Sequence, residues 1–263
     1  MEPWQIIVAL IQGLVEWLPI SSEGQAILFV YNFSSVTPED LITLVVWLHL
    51  GTALAVVARY PRTIVDVLSL RDRKLFRLLL IATVCTAITA IPLYYVLKSS
   101  LVILESAEIL NIIVGVLLLI TAVILYLPTR SSQEDIKTVD ISEKIAVLSG
   151  LVQGFSVLPG LSRSGLTVSA LLMQRVNKET ALRFSFLMSV PAVVGIFAVE
   201  ILSNDAALLS VNPLDVLLMG IIVFITGLLS MEFLLRIARK VSFWKLCLLL
   251  ALVAILFGIP SLL

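Results

Sequence analysis

The sequence predicts an all-α polytopic membrane protein, a single integral membrane domain over residues 1–263. Three observations carry that reading. Of 263 residues, 60% are hydrophobic and 14% charged, where soluble domains carry about a quarter charged residues. The mean hydropathy is +1.11. The apolar residues also run continuously, as in 214–236 and 243–262, long enough to cross a ~30 Å hydrocarbon core at about 1.5 Å per residue. The short alternating segments of a membrane β-barrel are missing from these runs. Zero net charge gives no field for nucleic acid, which is excluded as a partner. Cys85 and Cys247 lie inside apolar runs and read as small buried residues rather than a disulfide. The acidic start MEPWQ lacks the basic region of a cleaved signal.

Taken in order, residues 4–33 open with a short apolar helix, break at Leu18-Pro19, and resume as a second short helix. Each half is too short to span, so the segment reads as a re-entrant hairpin. Full spans follow at 41–59, 74–97 and 108–127. The polar stretch 128–144 separates them from a second broken segment, 145–175, which also reads as a hairpin. Spans at 179–203, 214–236 and 243–262 complete six spans plus two hairpins.

Loop charge sets the orientation. Arg59, Arg62, Arg71, Arg73, Lys74 and Arg77 face only Asp66 and Asp72 between the first two spans. Arg236, Arg239, Lys240 and Lys245 stand without an acid. Both segments are expected in the cytoplasm, with the 128–144 loop. The loops at 98–108 and 203–215 carry Lys98, Glu105, Glu108, Asp205 and Asp215 and are expected outside, as are both termini.

The hairpins resemble one another. The first reads IQGLVEWLPISSEG and the second VQGFSVLPGLSRSG. Gln12-Gly13 matches Gln153-Gly154 and Gly24 matches Gly165, each displaced by 141 residues, with Leu-Pro slipped by one. Repeat halves of about 1–127 and 141–263 follow. Three spans lie between the hairpins, so the second copy is inverted. Broken helices of inverted repeats meet near the midplane around polar sites.

The tips hold the chemistry. Gln12 and Glu16 share a helix face at four-residue spacing, and a carboxylate inside a membrane needs a partner. Arg163, flanked by Ser162 and Ser164 with Thr167 beyond, supplies one. An arginine fork and hydroxyls at a helix start also suit a phosphate. Ser21 and Ser22 occupy the equivalent break. Glu16 and Glu23 beside a phosphate site suggest Mg²⁺ or another hard divalent cation. Serines at helix starts also serve as caps, and a Glu–Arg pair can be structural. His49, the only histidine, reads equally as a core residue or a functional one. These features point to a site without choosing an enzyme over a transporter.

With both tips in view, the chain resembles the undecaprenyl-pyrophosphate phosphatase family of the bacitracin-resistance type. The matching blocks are QGLVEWLPISSEGQ, from Gln12 to Gln25, and PGLSRSGLT, from Pro159 to Thr167, and the likeness extends over nearly the whole chain. It implies metal-dependent hydrolysis of a polyprenyl diphosphate on the outer side of the plasma membrane, recycling the lipid carrier of cell-envelope glycan synthesis. By motif position, Glu16 is a metal or water ligand, with Gln12 as a second metal position. Ser22 is the nucleophile or a phosphate ligand. Arg163 is the phosphate-binding arginine, with Ser162, Ser164 and Thr167 around the same phosphates. Gln25 departs from the pattern, since many members place histidine there; Glu23 or metal-activated water then takes the proton-transfer role. Mg²⁺ or another divalent cation such as Ca²⁺ is the implied cofactor. The alternative is a transporter or flippase of polyprenyl phosphate using the same site without hydrolysis. The sequence does not specify the oligomeric state, a homodimer being one option.

Overall fold

The computed structural model describes residues 1–33, 38–101, 107–127, 139–202, 212–237 and 242–259. Eleven α-helices lie among them, and no strand. The first hairpin is α1 (Pro3–Val15) and α2 (Ser22–Phe33). Pro3 begins α1, and Glu2 and Gln5 close a capping box over its first turn. There follow α3 (Pro38–Arg59), α4 (Pro61–Leu68), α5 (Arg73–Leu101) and α6 (Ala107–Tyr126). The second hairpin is α7 (Glu143–Gly154), a 3-10 turn at Phe155–Val157, and α8 (Arg163–Met173). Helices α9 (Lys178–Leu202), α10 (Pro213–Ile237) and α11 (Phe243–Gly258) complete the bundle.

Helices α5, α6, α9 and α10 are long and apolar enough to cross a membrane, and α3 with α4 makes a fifth broken candidate. The expected count of six full spans is therefore not reached by length and composition alone. Thr43–Arg59 is bent by 93° from α4, where Pro61 interrupts the backbone ladder. Described α11 has 16 residues, about 24 Å at 1.5 Å per residue. Positions 260–262 of the expected last span lie outside the described residues, as does 128–138 of the polar loop. The loop charges Glu105, Asp205, Arg239 and Lys240 lie there too, and the side chains of Lys98, Glu108 and Arg236 are not described. Leu217, Ile221, Ile225 and Leu229 are exposed on α10, an apolar stripe suited to lipid.

Helix starts recur through the chain. Pro3 and Glu143, Pro38 and Lys178, and Arg73 and Pro213 are each 140 residues apart, and Ser22 and Arg163 are 141 apart. The packing crosses between the halves: α1 lies on α10, α7 lies on α5, and α6 lies on α11. Polar pairs identify the two ends. The Met1 ammonium meets Asp215 at 3.2 Å, where α1 and α10 begin. At the other end of α10, Glu232 meets Arg59 at 3.2 Å. Arg77 of α5 meets Glu143 at the start of α7 at 2.8 Å. The hairpins thus enter from opposite ends.

Their first helices approach the spans closely because glycine sits at the contact. A Cβ on Gly13 would lie 1.9 Å from Thr226 Oγ1, and one on its repeat partner Gly154 would lie 1.7 Å from Thr89 Oγ1. Small residues at such positions let backbones pack and contribute dispersion contacts where apolar lipid offers little hydrophobic drive. Gly154→Ala would also press on the Ala90 backbone nitrogen at 2.8 Å. Overpacking of this kind costs about 1–3 kcal/mol. The substitution is expected to lower the thermal midpoint in detergent; an unchanged midpoint would refute the close approach of α7 to α5.

Candidate active site

The site forms where the two chain breaks meet. Helix α1 ends as Glu16 caps it, because Pro19, three residues on, has no N–H to continue the ladder. Ser21 then takes a left-handed φ of 59° and Gly160 a φ of 109°. Glycine suits that second turn. A Cβ there would be strained and would meet the Val114 carbonyl oxygen at 2.7 Å. The Gly160 N–H donates to Ser21 Oγ at 3.1 Å, and Gly24 N–H donates to the same oxygen at 3.2 Å. One hydroxyl therefore ties the two tips together. Thr121 of α6 supports the second tip, donating to the Gly160 carbonyl at 3.0 Å and accepting from the Ser162 N–H at 3.3 Å.

Glu16 is the hub, with only 5% of its surface exposed. Its Oε2 accepts from Gln12 Nε2 at 2.8 Å and from Ser22 Oγ at 2.5 Å, and His49 Nε2 lies 3.4 Å away. Its Oε1 accepts from Arg163 Nη2. The Arg163 guanidinium stands 6.0 Å from the Trp17 ring centroid. Trp17 is itself fixed by an edge contact with Phe186 and by donating Nε1–H to the Gly227 carbonyl at 2.8 Å. Helices α1, α2, α3 and α8 thus each contribute a side chain to one carboxylate. Arginine offers five donors, so this pairing leaves others for an anion.

Beside the hub opens a cavity lined by Glu23, His49, Gln153, Ser156 and Arg163. It continues between α5 and α9 past Ala90, Ile91, Tyr94, Gly195 and Val199. One end is polar and charged; the remainder is an apolar groove. Gln153 Nε2 donates to Thr86 Oγ1 at 3.1 Å. Its Oε1, and that of its repeat partner Gln12, are buried without a hydrogen-bond partner among the described residues.

The structure gathers Gln12, Glu16, Ser22, Glu23 and Arg163 as the motifs predict, but divides the hydroxyls. Ser162 caps α8, accepting from the Gly165 N–H at 3.2 Å. Ser164 donates to the Leu18 carbonyl at 3.1 Å, joining the second tip to the first. Thr167 donates to the Arg163 carbonyl at 2.8 Å and meets Ser185 Oγ at 2.5 Å. Ser21 and Ser164 join the tips, Ser162 and Thr167 fix α8, and none of the four lines the cavity. Gln25 does not line it either; its amide donates back to the Ile20 carbonyl at 3.3 Å. The motifs missed His49 and Gln153. The signal for His49 was a single ionisable ring inside a span, and that for Gln153 was its repeat relation to Gln12.

A resident divalent ion on Glu16 and Gln12 fits these residues poorly. A carboxylate offers about four lone-pair positions, and Glu16 already accepts from three donors, one of them a guanidinium, with the His49 ring nitrogen 3.4 Å away. The Gln12 Oε1 is unspent, but it is a single neutral ligand. Among the described residues no three His, Cys, Asp or Glu side chains gather as an ion site.

Comparison with known proteins bears on what such a site is for. The family described as bacitracin resistance protein BacA matches residues 5–256. A protein of Methanothrix thermoacetophila named undecaprenyl-diphosphatase is 39% identical over 250 residues, covering 95% of this chain and 94% of that protein. One of Methanopyrus kandleri with the same name is 36% identical, covering 97% and 96%. One of Treponema denticola, also so named, is 34% identical, covering 89% and 88%. Both hairpin tips, with the glutamate of the first and the arginine of the second, fall within the matched region, and the chain belongs to the bacitracin resistance protein BacA family.

Proposed function

We infer that this protein is a polyprenyl-diphosphate phosphatase, hydrolysing an undecaprenyl-type lipid diphosphate to the monophosphate and inorganic phosphate. The observation that carries the reading is a half-buried arginine paired with a buried carboxylate at the head of an apolar groove, in a chain whose relatives bear the diphosphatase name. A charged head on an apolar chain fits that division. The diphosphate meets Arg163 at the tips while the isoprenoid lies along α5 and α9, open towards lipid.

Glu16 holds Arg163 in position and takes up its charge until an anion arrives. The guanidinium then spreads its donors over the phosphate oxygens, stabilising charge that develops as the bridging bond breaks. Ser22, hydrogen-bonded to Glu16, and Glu23 stand at the same end as the reacting phosphate. Mg²⁺ or Ca²⁺ is proposed to enter with the diphosphate rather than to reside on Glu16 and Gln12; bound to its oxygens, it would neutralise their charge. The plasma-membrane location, the 1–127 and 141–263 halves and the external termini belong to the same proposal. Support for the orientation comes from Met1 pairing with Asp215 at the end remote from Arg59 and Arg77.

Hairpins entering from opposite ends also favour a second reading, a carrier that passes polyprenyl phosphate between leaflets through the same site. Proteoliposomes separate the two: a carrier moves the lipid with its phosphate count unchanged, whereas a phosphatase releases phosphate.

Glu16→Gln and Arg163→Ala are each expected to reduce phosphate release from farnesyl diphosphate by roughly a hundredfold or more. Arg163→Lys should recover little, because an ammonium lacks the bidentate fork. Folded wild-type protein that releases no phosphate with any divalent ion would sink the phosphatase reading.

Gly195 tests the groove. A Cβ there meets nothing within 4 Å, so Gly195→Phe places a ring in the path of the lipid. KM for a long-chain polyprenyl diphosphate should rise several-fold while farnesyl diphosphate is less affected. Equal effects on both substrates would place the tail elsewhere.

A further inference from the structure

The reaction needs a group to take a proton from the attacking water, and three ionisable candidates besides Arg163 meet at the head of the cavity. Glu16 accepts from Gln12, Ser22 and Arg163, so most of its lone pairs are committed. Glu23 lines the cavity, but among the described residues no hydrogen bond fixes its carboxylate. Residue 25 is a glutamine whose amide is turned back to the Ile20 carbonyl.

His49 differs from these residues. Its Nδ1 lies 2.7 Å from the Val45 carbonyl one turn earlier on α3. A carbonyl only accepts, so Nδ1 carries a hydrogen and the ring is held in one orientation. Nε2 is then the nitrogen left to exchange a proton. It lies 3.4 Å from Glu16 Oε2, the oxygen that also accepts from Ser22, and the ring lines the cavity with Glu23 and Arg163. A backbone acceptor behind an imidazole and a carboxylate beside its other nitrogen form a held base whose charged form has a partner.

We propose that His49 is the proton acceptor of this site, a reading that rests on the diphosphatase function above. As water attacks the terminal phosphorus, one O–H proton passes to His49 Nε2 and the oxygen forms the new P–O bond. The bridging P–O bond breaks, and its electron pair leaves on the polyprenyl monophosphate. The imidazolium stands against Glu16 until the proton passes to the departing phosphate or to solvent. The histidine comes from α3, outside both hairpins, so the site draws a reacting group from a span.

The test compares wild type with His49→Gln, His49→Ala and Glu23→Gln, using phosphate release from farnesyl diphosphate and binding of its non-hydrolysable methylene diphosphonate analogue. Glutamine can still donate to Glu16 but cannot carry a proton. His49→Gln should lose roughly a hundredfold or more in kcat, within the span usual for general acid–base groups, and still bind the analogue. Added imidazole should restore part of the turnover of His49→Ala, a rescue that a merely structural role does not predict. Wild-type turnover in His49→Gln, or loss confined to Glu23→Gln, would overturn the proposal. So would parallel loss of analogue binding and turnover without imidazole rescue. An inert wild type would instead overturn the diphosphatase reading, so the two failures are told apart by the control.

Discussion

The Glu16–Arg163 pair is the contact on which the arrangement of the tips depends. Each charge alone would be expensive to bury; removing one partner from a buried pair leaves the other uncompensated, at a cost of about 3–5 kcal/mol. The two residues lie 147 positions apart, one in each hairpin, so neither hairpin satisfies its own charge. Docking the tips is the condition for both to be inside. The hydroxyls serve the same end: Ser21 binds the Gly160 N–H and Ser164 binds the Leu18 carbonyl, each reaching across the junction. The backbone breaks that would be intolerable against lipid become tolerable because each break supplies the partners of the other.

A fully compensated pair would be inert if it were sealed. Here the cavity reaches Arg163 from the side, and the arginine has more donors than Glu16 uses. The pair is therefore a resting contact from which an anion can recruit the guanidinium without drawing a bare charge out of water. The same logic explains why a saturated Glu16 makes a poor seat for a metal. Its oxygens already accept from a guanidinium, a hydroxyl and an amide, and a divalent ion would have to displace them.

Long-range order was written plainly in the sequence. Length and hydropathy located the helices, and the Gln-Gly and Gly matches at 141 residues anticipated the recurrent helix starts. Positive φ at Ser21 and Gly160 lies in the two Pro-containing breaks that the sequence marks. Other features were hidden because they depend on side-chain direction between elements remote in the chain. Ser162, Ser164 and Thr167 carry the same hydroxyl whether it faces a ligand or the backbone, and the sequence does not show that Ser162 accepts from the Gly165 N–H while Ser164 and Thr167 donate to backbone carbonyls. His49 sits among leucines and valines with no local motif; only the docking of α3 against the tips brings its ring to Glu16. The right-angle turn at Tyr60-Pro61 was likewise masked by the apolar run before it.

The repeat also explains how one site acquires complementary groups. Were the halves identical, their approach would bring like charges together at the junction. The sequence breaks the symmetry at the charged tip positions: Glu16 corresponds to Val157, Ser22 to Arg163 and Glu23 to Ser164. Positions that shape the backbone stay matched, with Gly13 opposite Gly154, Gly24 opposite Gly165 and Ser21 opposite Ser162. The scaffold is thus nearly symmetric while the chemistry is divided, acids and imidazole from one half and guanidinium from the other. Attraction between the unlike tips stabilises their contact, and it leaves a polar pocket facing the groove between α5 and α9. One orientation of a headgroup with its tail then follows from the asymmetry of the charges, because only one side of the junction offers an arginine.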